Sequence, residues 1–351
     1  MSNMMKAAVQ YAIDDIRLEQ RPVPQIGPGE ILVKTLACGL CGGETMAWYK
    51  TEPKVLGHEP AGEVVELGAG VTDFKIGDRV FVNHHVGRIN SHLSRRGHFT
   101  RDPFYKSTRL DPGGVCDYFR VSAQHLAMDT HKLPESISNE AAVTIEPWSC
   151  VLSGLKTCHI QPGDTVAVVG AGFMGQGFVH MAPLFGAGKV IALDFSDWRL
   201  QKAREFGATH TINPKNEDAV AALRAINNGR LADTVIVIAP FPSAWQQAMA
   251  LVEVGGCLHL GAPLPPETDW VQNGHKAYFD QITVTSRYSS DHTDTYSYIR
   301  LLEAGRINAE AAISHRFDIA ESAEAFRLLV DAEESLKIVV YPHGIPTKSR
   351  A

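Results

Sequence analysis

Residues 37–46 read ACGLCGGETM, setting two thiols, Cys38 and Cys41, three positions apart, with the carboxylate of Glu44 three further on. A C-x-x-C of this kind serves a redox dithiol, half of a metal site, or a tight turn that happens to carry thiols. Downstream, VLGHEP places His58 beside Glu59, and IEPWSC supplies Glu146. Thiolate, imidazole and carboxylate are the ligand types that hold a catalytic zinc ion with one position open for water or substrate. Each has a plain structural reading when taken singly. A buried cysteine is a small apolar filler, a histidine a hydrogen-bonded core or surface group, and a glutamate before proline a helix cap.

A second constellation suits an anion. VAVVGAGFMGQG runs from an apolar strand through Gly170-x-Gly172-x-x-Gly175 into a helix opened by Phe173 and Met174. Glycines at this spacing allow a tight turn, close approach of a pyrophosphate and close helix packing, while free N–H groups at the helix start hold the charge. Asp194 ends the next strand about 20 residues on, where a carboxylate accepts hydrogen bonds from ribose hydroxyls and repels a 2′-phosphate. The expected cofactor is therefore NAD rather than NADP. Arg199 is a further candidate for the nucleotide, against the simpler reading of a solvated helix residue.

The surrounding pattern shows what must carry these groups. Up to about residue 150, short β-type runs such as EILVKTLA, AGEVVELG and DRVFVN are broken by Gly and Pro, as in a compact β-rich fold. From Gln161, VAVVG, KVIALD, THTIN, DTVIVIA, CLHLGA and QITVTS alternate with helical stretches, which predicts an α/β doubly wound parallel sheet. After Tyr288, DTYSYIRLLEAG and ESAEAFRLLVDAEE read as helices and LKIVVYP as a strand, and these return to the first domain. The predicted domains are 1–155 with 289–351, and 156–288.

Composition narrows the functional class. With 33 basic against 39 acidic residues and a net charge of -6, the chain has no basic footprint for nucleic acid. Its six cysteines are scattered through 351 residues, unlike a disulfide scaffold, so a reducing cytoplasm is expected. No apolar run approaches a membrane span, and MSNMMKAAVQYAIDD shows no apolar stretch followed by a small-residue cleavage site, so neither export nor insertion is expected.

Taken in order, ACGLCGGE, GHEPAGEVVELG, GDRV, DPGGVCDYFRV, IEPWSC and VAVVGAGFMG resemble the zinc-dependent medium-chain dehydrogenase/reductase family over nearly the whole chain. The resemblance implies a GroES-like β-rich catalytic domain and a Rossmann domain that binds NAD. It carries Cys41 over as the thiolate ligand, leaving Cys38 out, and His58 as the imidazole ligand. Glu59 and Glu146 match carboxylates that bind the metal directly or through its water, and Glu44 stands where a carboxylate orients the metal-bound histidine. Glu146-Pro147 and Arg287-Tyr288 are similar to the polyol dehydrogenase branch, in which the arginine faces the substrate; an interdomain ion pair is the alternative for Arg287.

Two departures stand out. The family's proton relay uses Thr or Ser two residues after the ligand cysteine and His five after it, where this chain has Gly43 and Met46. Many relatives also hold a structural zinc on four cysteines spaced C-x2-C-x2-C-x7-C, and those places here hold Arg88, Ser91, Ser94 and Asp102. One catalytic zinc and no structural zinc are expected, with the lobe held by ordinary packing. His84, His85, His92 and His98 crowd this region and read as solvated loop residues. Trp48, Tyr49 and Trp148 flank ligand positions and read as core rather than contact.

The expected activity is hydride transfer between a secondary hydroxyl of a polyol or sugar and NAD, giving a ketone, with Glu59, Glu146 or Glu44 taking the proton. A lyase or epimerase that oxidises its substrate transiently, with no net redox change, is the alternative prompted by the missing relay. A non-catalytic NAD-binding protein and a zinc-free quinone reductase are disfavoured by the retained metal-ligand set. The QITVTS edge strand predicts sheet-to-sheet pairing in a homodimer or homotetramer.

Overall fold

A computed structural model of the chain describes residues 3–46, 53–332 and 334–346. Two compact units divide it, Met1–Ser149 with Ser290–Ala351, and Cys150–Ser289. The first division falls inside the helix Ile145–Leu155 rather than at its end. Trp48 and Tyr49 lie outside the described residues.

The first unit is built on a sheet whose order runs Ile313–Asp318, Lys337–Tyr341, Ile31–Leu40, Glu59–Leu67, Arg79–Val82 and Thr130–Lys132, with Tyr118–Val121 also paired to Ile31–Leu40. Ile31–Leu40, ILVKTLACGL, is the central strand, and its near-continuous apolar run matches burial on both faces. Ile31, Val33, Val64, Val80 and Phe119 are fully enclosed beside it. Each such side chain contributes about 1.5–3 kcal/mol by leaving water. The strand Lys337–Tyr341 pairs antiparallel with the central strand and parallel with Ile313–Asp318. That parallel partner was not foreseen, because ISHRFD mixes polar and apolar residues without clear alternation. A smaller sheet holds Asp15–Pro22, Met4–Ala12 and Lys54–Val55.

The lobe that carries a structural zinc in many relatives is held by more than packing. Ser91 Oγ lies 2.9 Å from Ser94 Oγ, Ser94 Oγ donates to the Arg88 carbonyl, and Arg88 Nη2 pairs with Asp102 Oδ1 at 3.3 Å. Asp102, buried, also accepts the Phe104 N–H at 2.8 Å. The four residues at the metal-ligand places thus form one polar cluster, Asp102 supplying the negative charge and Arg88 the positive.

The second unit is a parallel sheet ordered His210–Ile212, Lys189–Leu193, Thr165–Val169, Ala232–Val237, Val252–Leu260, Thr283–Ser286. Thr165–Val169, TVAVV, is buried at every position, as expected of a strand covered by helices on both faces. Pro183 ends the regular helix Phe173–Met181, which continues as the 3-10 turn Ala182–Phe185. The helix Pro242–Ala250 stops before VEVG, which begins the next strand instead; β-branched Val252 pairs with Ala232, and pairing resumes after a register shift at Cys257.

Candidate metal centre and nucleotide site

The central strand delivers Cys41 by ending at Leu40 and turning into the 3-10 helix Gly42–Thr45. Cys41 caps that helix: its Sγ accepts the Gly43 N–H at 3.4 Å, while Glu44 reaches back to the Cys41 N–H at 3.4 Å. This reciprocal arrangement is a capping box, with a thiol in the usual place of a hydroxyl. Glu44 Oε1 also accepts the Gly57 N–H at 2.7 Å and lies 3.5 Å from His58 Nδ1. One buried carboxylate therefore ties the cysteine turn to the histidine turn. Burial works against the charge of Glu44, but its hydrogen bond and attraction to His58 hold its carboxyl below the usual range.

Cys38 takes no part in this. It is fully buried, packed with Ala8, Leu40, Leu56 and Val115, and its sulfur lies where a Cβ on Gly57 or Gly114 would sit 2.6 or 2.7 Å away. Burial pushes its thiol well above the usual value.

Donor atoms of Cys41, His58 and Glu59 all lie within 4.8 Å of one another, and the same holds for His58, His84 and Glu146. His58 is common to both groups. Burial opposes a charge on this imidazole, yet the Cys41 sulfur and Glu44 carboxylate together hold its pKa well above the usual value. Glu146, in the first turn of Ile145–Leu155, is pushed up to about 7, chiefly by burial, against the pull of His58 and with the repulsion of Glu59. The cluster gathers acidic groups around one imidazole, an arrangement that a bound cation would compensate. The thiolate, imidazole and carboxylate set fits zinc.

Glu59 is fixed by a group that the sequence reading missed. Lys337 Nζ donates to Glu59 Oε2 at 2.6 Å and to the Leu40 carbonyl at 3.0 Å, with both charged side chains buried. The other Glu59 oxygen, Oε1, is buried without a hydrogen-bond partner. A carboxylate with one oxygen held and one unspent is oriented for a further cation. The signal was a lone lysine opening the apolar run LKIVVY.

The histidine-rich segment departs from expectation. His92 and His98 are exposed, but His84 and His85 are partly buried, their ring centroids 4.2 Å apart and His84 4.7 Å from His58. Burial and the neighbouring rings keep His84 well below its usual pKa, and burial lowers His85 to about 4. They are not solvated loop residues, because Asn83 and His125 draw the segment inward. Trp148 is fully buried, edge-on to Tyr298 with centroids 6.5 Å apart, and belongs to the core.

In the second unit the three glycines have three different reasons. Gly170 has φ +99, a Cβ on Gly175 would lie 1.9 Å from the Gly170 carbonyl oxygen, and a Cβ on Gly172 would meet nothing within 4 Å. They supply the left-handed turn, the close helix contact and the open approach, in that order. Phe173 and Met174 begin the helix, whose N-cap Gly172 supplies no side-chain cap. Asp194 Oδ2 accepts the Ala171 N–H and Oδ1 the Ser196 N–H, both at 2.8 Å, so the carboxylate is locked beside the glycine turn. Arg199 is not solvated: it is half-buried, with Nη1 3.9 Å from Asp194 Oδ2. Arg287 follows the strand Thr283–Ser286 and is half-buried.

Residues 27–135 match the alcohol dehydrogenase GroES-like domain, and residues 174–304 match the zinc-binding dehydrogenase domain. The chain is 32% identical to sorbitol dehydrogenase of Bacillus subtilis, the match covering 97% of this chain and 98% of that protein. The family follows from this match. The chain belongs to the zinc-dependent medium-chain dehydrogenase/reductase family. Within it the chain stands close to the polyol dehydrogenase branch and is a zinc-dependent alcohol oxidoreductase. L-threonine 3-dehydrogenase of Pyrococcus horikoshii is 31% identical over 94% of this chain and 95% of its own length. A crystal structure described as a zinc-binding dehydrogenase of Sinorhizobium meliloti 1021 bound to NADP is 26% identical, with a TM-score of 0.87 over 97% of this chain and 99% of that one.

Proposed function

We propose that this dehydrogenase oxidises a secondary hydroxyl of a polyol or sugar with NAD, using one zinc ion held by Cys41 and His58 with Glu59 and Glu146. The observation that carries the reading is the convergence of donor atoms of Cys41, His58 and Glu59 within 4.8 Å of one another, with Glu146 grouped within the same distance of that His58. Zinc bound there supplies a Lewis acid that acidifies a hydroxyl and leaves the adjacent carbon ready to lose hydride. Glu44, 3.5 Å from His58 Nδ1, fixes the ring so that Nε2 is the nitrogen left for the cation.

With Gly43 and Met46 in the relay places, the proton goes to a carboxylate. Glu59 is tied to Lys337 and Glu44 to the Gly57 N–H, which leaves Glu146 as the carboxylate to take the proton, meeting the cation through a water rather than directly. The locked Asp194 carboxylate supports NAD over NADP, since it presents negative charge where a 2′-phosphate would sit; Arg199 softens that charge. The likeness to sorbitol dehydrogenase supports a polyol or sugar, and Arg287 is assigned to its hydroxyls by resemblance. Gly170, Gly172, Phe173, Met174 and Gly175 are assigned to the pyrophosphate.

The exposed edge strand Thr283–Ser286, with Val284 46% accessible, supports a homodimer or homotetramer. None of the six cysteines is joined in a disulfide, which supports a reducing, cytoplasmic location. No described helix is long and apolar enough to cross a membrane.

A panel of polyols, sugars and amino alcohols, offered with NAD and with NADP, tests the reading through absorbance of the reduced cofactor. NADH accumulating with a polyol or sugar is the expected result. Substrate conversion without net reduced cofactor would move the assignment to an elimination or epimerisation.

A further inference from the structure

His84 has what a metal ligand needs and nothing else that uses it. Its Nδ1 is buried, lies 3.5 Å from Glu146 Oε1 and makes no hydrogen bond. A buried polar atom left without a partner costs about 1–3 kcal/mol, so its retention calls for a reason. The ring stands 4.7 Å from His58, centroid to centroid, and one donor atom each from His58, His84 and Glu146 lies within 4.8 Å of the others.

The frame behind the ring is rigid. The His84 carbonyl accepts from His125 Nε2 at 3.2 Å, and Asn83 is fixed to Asp129 through its N–H at 3.1 Å and its side chain at 2.8 Å. His85 Nδ1 contacts the Thr108 carbonyl, and its ring lies 5.2 Å from Tyr105. The imidazole of His84 is placed by these contacts, not by a loose loop.

The group Cys41, His58 and Glu59 and the group His58, His84 and Glu146 share His58, so the two donor sets meet at one imidazole. In the first group Glu59 is already committed through one oxygen to Lys337. In the second group, His84 Nδ1 has no hydrogen-bond partner. We propose that His84 is a protein ligand of the catalytic cation, taking it through Nδ1 together with His58, with Glu146 meeting it through a water. This adds a nitrogen donor to a set of one thiolate, one imidazole and carboxylates, and suits a borderline divalent ion such as Zn2+ or Co2+. The inference rests on the zinc-enzyme reading above.

The test uses the full chain, stripped with a chelator and reloaded with Zn2+ or Co2+. Wild type, His84→Ala, His84→Phe, Cys41→Ser and the exposed-loop control His92→Ala are compared by chelator competition and by the optical spectrum of the Co2+ form. His84→Phe keeps the ring volume and removes the donor, so it separates ligation from packing; thermal melts followed by circular dichroism confirm folding. Both His84 variants are expected to bind Zn2+ at least about tenfold more weakly. Their Co2+ d–d bands should change while the sulfur-to-cobalt charge-transfer band persists, and Cys41→Ser should lose that band. Wild-type affinity and an unchanged Co2+ spectrum in both His84 variants would overturn the assignment. A wild-type chain that takes up no Zn2+ would overturn the zinc reading itself, and with it this one, so the two failures are told apart.

Discussion

Lys337 reaches across the end of the central strand to Glu59, Nζ to Oε2 at 2.6 Å, passing over Gly39, which pairs with Glu59 on one side and Val339 on the other. Both partners are buried, so each charge depends on the other. Lys337→Met leaves Glu59 unpaired in the interior, a change that costs about 3–5 kcal/mol. Zinc at Glu59 would restore part of the compensation. The loss should therefore be larger in a chelator than with saturating zinc, and urea unfolding in the two media checks it; equal losses would separate Glu59 from the cation.

Gly39 permits that bridge by lacking a side chain. A Cβ there would lie 2.2 Å from Glu59 Oε2 and 3.2 Å from Lys337 Cδ. Gly39→Ala should cost about 1–3 kcal/mol as an overpacked site and lower the zinc content of the purified protein. Full zinc content with unchanged stability would mean that the pair tolerates displacement.

The polar lobe gives a third expectation. Asp102, buried, joins Arg88 to the Phe104 N–H. Asp102→Ala should cost about 1–3 kcal/mol through the unpaired N–H it leaves, and it should open the lobe to limited proteolysis. Elemental analysis of the wild type should find one zinc per chain. Two tightly bound zinc ions would refute the replacement of metal by this cluster.

His259, in the second unit, is buried and held at about 4, well below its usual value, by desolvation. Its Nδ1 lies 3.0 Å from Thr285 Oγ1 and 3.3 Å from Thr157 Oγ1. Between pH 6.5 and 4 the unfolded chain binds a proton that the folded chain does not, so stability is whole above pH 6.5 and falls as pH drops through that window. The full loss is about 3 kcal/mol at one pKa unit per 1.36 kcal/mol. His259→Asn should flatten this part of the stability profile, measured by urea unfolding from pH 8 to pH 4. A profile as steep as wild type would assign the acid sensitivity elsewhere.

What the sequence made legible follows from distance along the chain. The Cys41–Glu44 capping box and the Gly170–Gly175 turn are local, and their spacing alone expresses the geometry. The alternation of strands and helices after Gln161 is also local, and the six-stranded parallel sheet follows from it. Lys337 and Glu59 meet 278 positions apart, through pairing of the last strand with the central one, and no spacing rule reaches that far. His84 failed for a related reason: its value as a donor comes from Glu146 and His58, which lie near it only in the folded chain. The lobe residues Arg88, Ser91, Ser94 and Asp102 were noticed as missing cysteines, yet their mutual bonding depends on side-chain geometry that residue types do not disclose.

X-ray absorption at the zinc edge of the reloaded full chain tests the central claim most directly, because it counts sulfur ligands. The account predicts one sulfur at about 2.3 Å, from Cys41, with the remaining ligands nitrogen or oxygen at about 2.0–2.2 Å. A sulfur-free shell, or one with two or more sulfurs, would contradict it.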